Sequence, residues 1–215
     1  MTIARKLYAM AAIAVFGVVL LAGVGSYQIQ RVNTTASYST ENTVPSILEL
    51  DRVIDAVYFM RVATWEFIAS PDPASRQETE KNISASLARI AKALDTYEKE
   101  DISDATDAQM LQDVRKHVAL YEASLTRVMT QARTDPVGAR RAMLADQAIV
   151  EAMMSALEEQ KRYNEQLGKA AAQTAAATKN QAIVVALVIS VLTAAVVGLI
   201  LYFLLGRSAV HSGKP

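Results

Sequence analysis

The chain has 215 residues, 52% of them hydrophobic, with 22 basic side chains balancing 22 acidic ones and no cysteine. That length holds one ordinary domain plus membrane segments. The missing thiols exclude a disulfide framework and thiolate metal or redox chemistry, and the absence of a basic excess gives no footing for nucleic-acid binding.

Residues 1–6 form a short leader carrying Arg5 and Lys6, followed by an uncharged run from Leu7 to Gly25, "LYAMAAIAVFGVVLLAGVG". A helix of about 20 apolar residues crosses the ~30 Å hydrocarbon core, so 7–30 is assigned as a first transmembrane helix. Arg5, Lys6, the apolar run and the Gly23-Val24-Gly25 triplet also describe a cleavable signal peptide. The apolar run exceeds the usual ~7–15 residue signal core and enters a helical pattern without a break, which favours a retained anchor.

Breakers divide 31–181 into four helices. The first covers 31–69 and ends at "SPDPAS", where Asp72-Pro73 makes a new start, Asp as N-cap and Pro at the first helical position. The second covers 73–98 and ends at "KEDISD", with Ser103 or Asp104 able to cap the third, 104–134. "TDPVG" repeats the Asp-Pro device before the fourth helix, 136–181.

Apolar residues recur at three and four throughout. The first helix reads Ile47, Leu50, Ile54, Val57, Arg61, Thr64, Ile68, and the fourth reads Val150, Met153, Leu157, Gln160, Asn164, Leu167. This is the pattern of helices packed at shallow angles, so the fold class is all-α, an up-down-up-down four-helix bundle. Gln160 and Asn164 are polar at seam positions; such residues fix register at a cost in stability, or leave the fourth helix free to slide.

A second uncharged run, 182–205, gives a second transmembrane helix, and "GRSAVHSGKP" follows as a short tail, 206–215. Helices 1 and 4 thus continue into the spans. Lys and Arg flank the outer ends of both spans, which places both termini in the cytoplasm and 31–181 in the periplasm of a bacterium, although Arg31 and Lys179 reduce the contrast. All 22 acidic residues fall in 31–181. Small residues at Ala14 and Gly17, and at Ser190, Thr193, Ala194 and Gly198, mark helix contacts in lipid. Close to the bilayer only "RVNTTASYSTENT" and "KAAAQTAAATKNQ" remain, a pair with little apolar area to bury. A second copy completes four helices there, so a homodimer is expected.

Enzyme chemistry finds no motif. His117 lies on an outer face beside Lys116 and His211 in the tail, and no metal spacing, phosphate loop or nucleophile set is present. No cofactor is expected. Arg61 is the oddity: in this frame it falls where the heptad wants an apolar residue, with Thr64 one step on and Trp65 beside it. A guanidinium there must pair with an anion or snorkel out of the seam.

Two spans around a periplasmic bundle resemble the sensory half of a bacterial methyl-accepting chemotaxis receptor. "NTVPSILELDRVIDAVYFMRVATWEFIA" is similar to its first sensory helix, and "ALEEQKRYNEQLGKAAAQTAAATKNQAIVVALVIS" to its fourth helix and second span, the likeness covering 1–207. In that family a HAMP linker and a cytoplasmic signalling coiled coil follow. "GRSAVHSGKP" stands in their place, leaving a truncated product, a shortened form or a free-standing module acting through a partner as alternatives. The resemblance implies a dimeric sensor of a small anionic solute or a periplasmic binding protein, set in the lipid bilayer. It also implies a site in which Arg61, Thr64 and Trp65 bind ligand, with Arg140 and Arg141 adding charge from the junction of the third and fourth helices. The plainer reading pairs Arg61 with Glu66, Glu80 or another internal acid and leaves Trp65 in the core. A ligand-free dimerisation module and a sensor-kinase input domain are the alternative functions.

Overall fold

The computed structural model describes the backbone of residues 3–70 and 72–211 and the side chains of Tyr8, 11–70 and 72–202. The charges at Arg5, Lys6, Arg207 and Lys214, the side chains of the 206–215 tail and His211 lie outside the described side chains. In chain order the elements are α1 (Ile3–Tyr38), a π turn (Ser39–Thr43), α2 (Val44–Ala69), α3 (Pro73–Thr96), a second π turn (Tyr97–Asp101), α4 (Ala105–Ala132), α5 (Pro136–Ala145) and α6 (Gln147–His211). No strand occurs among the described residues, and the chain forms two compact units, Met1–Ser37 with Ala171–Pro215, and Tyr38–Ala170.

The 38–170 unit is the four-helix bundle, with α2, α3 and α4 as three sides and α5 followed by the first part of α6 as the fourth. The expected caps hold. Asp72 accepts the Ser75 amide at 2.9 Å, Asp104 accepts those of Thr106 and Asp107, and Asp135 accepts that of Gly138 at 2.8 Å. Each satisfies amides that the first helical turn leaves without a partner. Asp104, not Ser103, caps α4. Pro45 accounts for the first π turn. It has no N–H for the carbonyl four residues back and its ring crowds that carbonyl, so the chain widens, and the Val44 amide bonds the Ser39 carbonyl instead.

The core is built from one stripe of each helix. Leu50, Val53, Val57 and Met60 of α2 meet Ile83, Ile90 and Leu94 of α3, Leu111, Val114 and Leu125 of α4, and Met153 and Leu157 of α6. A smaller cluster at the far end joins Phe67 and Ile68 to Val128, Ala132 and Ala139. Each such side chain, fully buried, is worth roughly 1.5–3 kcal/mol of transfer free energy.

Two readings of the sequence need correction. The seam of α2 runs through Leu50, Val53, Val57, Met60, Thr64 and Phe67, so Met60 is wholly buried at the position given to Arg61, which flanks the seam. The two readings share Leu50, Val57 and Thr64, and Ile54 and Ile68 of the sequence reading are buried as well; only Arg61 gives way, to the adjacent and apolar Met60. The fourth helix is not continuous from 136. It breaks at Asp146, whose carboxylate is held by Ser124 and Arg127 of α4, and α6 starts afresh at Gln147.

The other unit holds α1 up to Ser37 and α6 from Ala171. Both helices are long and apolar enough to cross a membrane, and the apolar stretch of each is wholly unburied. Phe16, Val19, Leu187, Val191 and Leu199 are all more than half exposed. Their contact depends on size: a Cβ on Gly17 would stand 2.6 Å from Thr193 Cγ2. Thr193 keeps its hydroxyl satisfied on the Ile189 carbonyl at 2.8 Å. Gly198, expected in the same stripe, has nothing within 4 Å of where its Cβ would be.

Candidate functional site

The bundle has a root, where the chain enters at Tyr38 and leaves at Ala170, and a tip, where α2 turns into α3 and α4 into α5. Each end carries a distinct polar arrangement.

At the tip, Arg61 and Thr64 of α2, Tyr121 of α4 and Asp146 of the α5–α6 break line a cavity of about 20 Å³, floored by Leu125 and Val150. That is room for roughly one water molecule. Thr64 is buried and donates to the Met60 carbonyl at 2.7 Å. The Tyr121 hydroxyl is buried without a partner among the described residues. Burial pushes it up to about 12, with the Arg61 charge opposing the rise. Arg61 is half-buried and makes no ion pair or hydrogen bond among the described residues. Glu80, a proposed partner, is engaged by Arg133 instead.

The other face of Arg61 borders a shallow surface hollow shared with Tyr58, Phe59, Val62 and Trp65. Trp65 is 36% exposed, so it does not fill the core. Val44, Leu48, Tyr58, Val62 and Trp65 are all exposed and lie along one side of α2 at spacings that are sums of three and four. The structure therefore brings Arg61, Thr64 and Trp65 to one short stretch, with Thr64 facing inward and Trp65 outward. Arg140 and Arg141 are exposed on α5 and line neither the cavity nor the hollow. The Gly138 amide, with a smaller contribution from the Arg141 charge, holds Asp135 below the usual carboxylate range.

At the root, a buried polar network ties α6 to the turn between α3 and α4. Tyr97, Asp107, Gln160 and Asn164 are all wholly buried. The Tyr97 hydroxyl donates to Asp107 Oδ1 at 2.6 Å and accepts from Asn164 Nδ2 at 2.7 Å. Gln160 Nε2 donates to the same Asp107 oxygen at 2.8 Å. The Ser103 amide donates to Asp107 Oδ2 at 2.9 Å. Burial, and then the bond to Asp107, pushes the Tyr97 hydroxyl well above its ordinary value, so it remains a donor. In this network Gln160 Oε1 is left without a partner among the described residues.

This network continues to the first π turn. Ser103 Oγ lies 2.8 Å from Asn42 Oδ1 and 3.2 Å from Asn164 Oδ1 and shares its proton between them. Asn42 Nδ2 donates to the Asp101 carbonyl at 3.0 Å. On α6, Gly168 passes so close to the same π turn that a Cβ would stand 2.8 Å from Thr43 Cγ2. Farther along, Lys161 of α6 meets Asp51 of α2 at 2.6 Å. Gln160 and Asn164 were legible as seam polars, and here they are fastened rather than loose. Asp107, their shared acceptor, carried no signal in the sequence, because an acid in the first turn of a helix reads as a solvated dipole partner.

A family model described as a four helix bundle sensory module for signal transduction matches residues 1–179. No curated protein and no solved structure matches the chain.

Proposed function

Starting from the fact that the chain belongs to the family of four helix bundle sensory modules for signal transduction, we propose that it is the periplasmic sensor of a chemoreceptor, anchored in a bacterial inner membrane by two spans with both termini cytoplasmic. The family is one of signal inputs, not of enzymes. The sensor binds a small anionic solute, or a periplasmic binding protein, at the tip of the bundle and passes the change along α6. Helix shifts of this kind amount to ~1–2 Å.

The observation that carries the ligand reading is Arg61: a half-buried guanidinium without an ion pair among the described residues, between a cavity lined by Thr64, Tyr121 and Asp146 and an exposed hollow bordered by Trp65, Tyr58 and Asp55. Its planar fork suits a carboxylate. The exposed stripe of α2 supports the homodimer. Val44, Leu48, Tyr58, Val62 and Trp65 form a seam that a parallel second copy covers, each residue meeting its own counterpart about a two-fold axis.

The full chain in lipid nanodiscs, melted against a panel of small mono- and dicarboxylates, tests the ligand. A ligand at a hundred times its dissociation constant adds about 2.7 kcal/mol. Arg61→Ala should abolish that gain while leaving the unliganded melt within about 0.5 kcal/mol of the parent, because no buried partner is stranded. A steep drop without ligand would remove Arg61 from the site. Val62→Cys should cross-link to its own copy. Cross-linking with no carboxylate or binding protein raising the melt would leave the ligand-free dimerisation module as the better reading. An impermeant maleimide should label Lys81→Cys from the periplasmic side, and labelling from the cytoplasm alone would overturn the orientation.

A further inference from the structure

Asp101 ends the second π turn, at the root of the bundle, and it is 4% exposed. Its carboxyl group makes no hydrogen bond or ion pair among the described residues. Glu49 of α2, 8% exposed, faces it, and the charges acting on Asp101 are Glu49 and Arg52 from α2, Glu100 from its own turn and Asp107 from α4. Arg52, the one cation among them, is already engaged by Glu49. The side chains of α6 that reach this turn are Gln160 and Asn164, which do not titrate, and Tyr163, whose hydroxyl donates to Asp104 at 2.6 Å, while its Lys161 is occupied by Asp51. Four carboxyl groups from three elements, Asp101 among them, therefore meet at the turn with one cation.

The position of Asp101 gives that crowding mechanical reach. Its backbone carbonyl receives Asn42 and, at 3.3 Å, the Ser46 hydroxyl. Two residues on, Ser103 joins Asn42 to Asn164 of α6 and donates its amide to Asp107. A push on Asp101 is thus felt by the first π turn, the α3–α4 turn and α6 together.

We propose that Asp101, set against Glu49, is a proton-operated latch on the joint between the α3–α4 turn and α6: protonated, it lets the turn close on α2 and grip α6, and ionised, it is repelled and loosens that grip. Burial first, then the charges of Glu49, Glu100 and Asp107, push its carboxyl up to about 6. A group bound more tightly to its proton when the turn is closed favours closure while protonated. That preference is complete below the ordinary value of 3.8 and is lost as pH rises to about 6. The compartment proposed for this bundle follows external pH, so the latch gives the sensor a response to acidity that is separate from any ligand at Arg61.

Hydrogen exchange on the full chain in nanodiscs tests it, with amide protection corrected for intrinsic rates and referred to the tip segment 125–132. Protection at 97–107 and 160–168 should fall roughly tenfold between pH 5 and 7.5, levelling off above pH 6. Asp101→Asn should remove the dependence and stay protected throughout, and Glu49→Gln should move the levelling to lower pH. His117 lies 3.6 Å from Asp113 on the outer side of α4, away from this joint, so His117→Gln must leave the response intact. A flat parent profile would overturn the latch without any variant. So would an unchanged response in Asp101→Asn, or its loss in His117→Gln. If Asp101→Asn does not fold, an unmoved profile in Glu49→Gln overturns it and a shifted one supports it.

Discussion

Asp107→Ala removes the common acceptor of the root network. Its two carboxyl oxygens take the Tyr97 hydroxyl at 2.6 Å, Gln160 Nε2 at 2.8 Å and the Ser103 amide at 2.9 Å, all at a residue with no exposed surface. The first two donors belong to wholly buried residues and have no water to turn to. A buried donor stranded in this way costs about 1–3 kcal/mol. Asn164 still bonds the Tyr97 hydroxyl and the Gln160 carbonyl, so part of the network survives. The sum comes to about 3–5 kcal/mol. At roughly 4 °C per kcal/mol for a unit of this size, the melt should fall by about 12–20 °C. Far-UV circular dichroism of the full chain in detergent reads it, with Asp107→Asn as companion. The asparagine keeps Oδ1 for Tyr97 and Gln160 and turns an amide against the Ser103 N–H, so it should lose about half as much. An alanine variant melting within about 1 kcal/mol of the parent would refute the claim that this network fastens α6.

Other substitutions probe separate joints. Gly168→Val should destabilise by about 1–3 kcal/mol through collision with Thr43, and Thr43→Ala should recover much of the loss in the double variant. Asp135→Ala should cost about 1 kcal/mol by stripping the N-cap of α5, an effect visible as faster exchange of the Gly138 amide. Met60→Ala should cost about 2–5 kcal/mol, where Arg61→Ala costs almost nothing, and parity of the two in a melt would contradict the seam described for α2.

Local chemistry made most of the architecture readable. An Asp-Pro pair fixes a helix start from within a few residues, and both such pairs cap as expected. Long three-four patterns made the four sides of the bundle plain. What escaped was set by distant residues. The break at Asp146 contains no glycine or proline and is held by Ser124 and Arg127, about twenty positions upstream. The seam of α2 could be read through Arg61 or through the adjacent Met60, since both fit the period, and only packing against α3, α4 and α6 decides. Gln160 and Asn164 announced a polar layer, yet their partners Tyr97 and Asp107 lie on the opposite hairpin, where one looked like core and the other like surface.

Trp65 is the chain's sole tryptophan and stands 36% exposed, one helical turn from Arg61 on the same hollow. Excitation at the red edge of indole absorbance therefore interrogates a single address on the molecule. Emission from a partly wet indole shifts to the blue and gains intensity when something dry settles over it. A solute at Arg61 and a second copy along the α2 stripe would cover different edges of the ring, and they differ in how they depend on concentration. The protein thus carries an unlabelled optical probe at the point where solute and second copy compete for explanation, and a dilution series separates them without altering one residue.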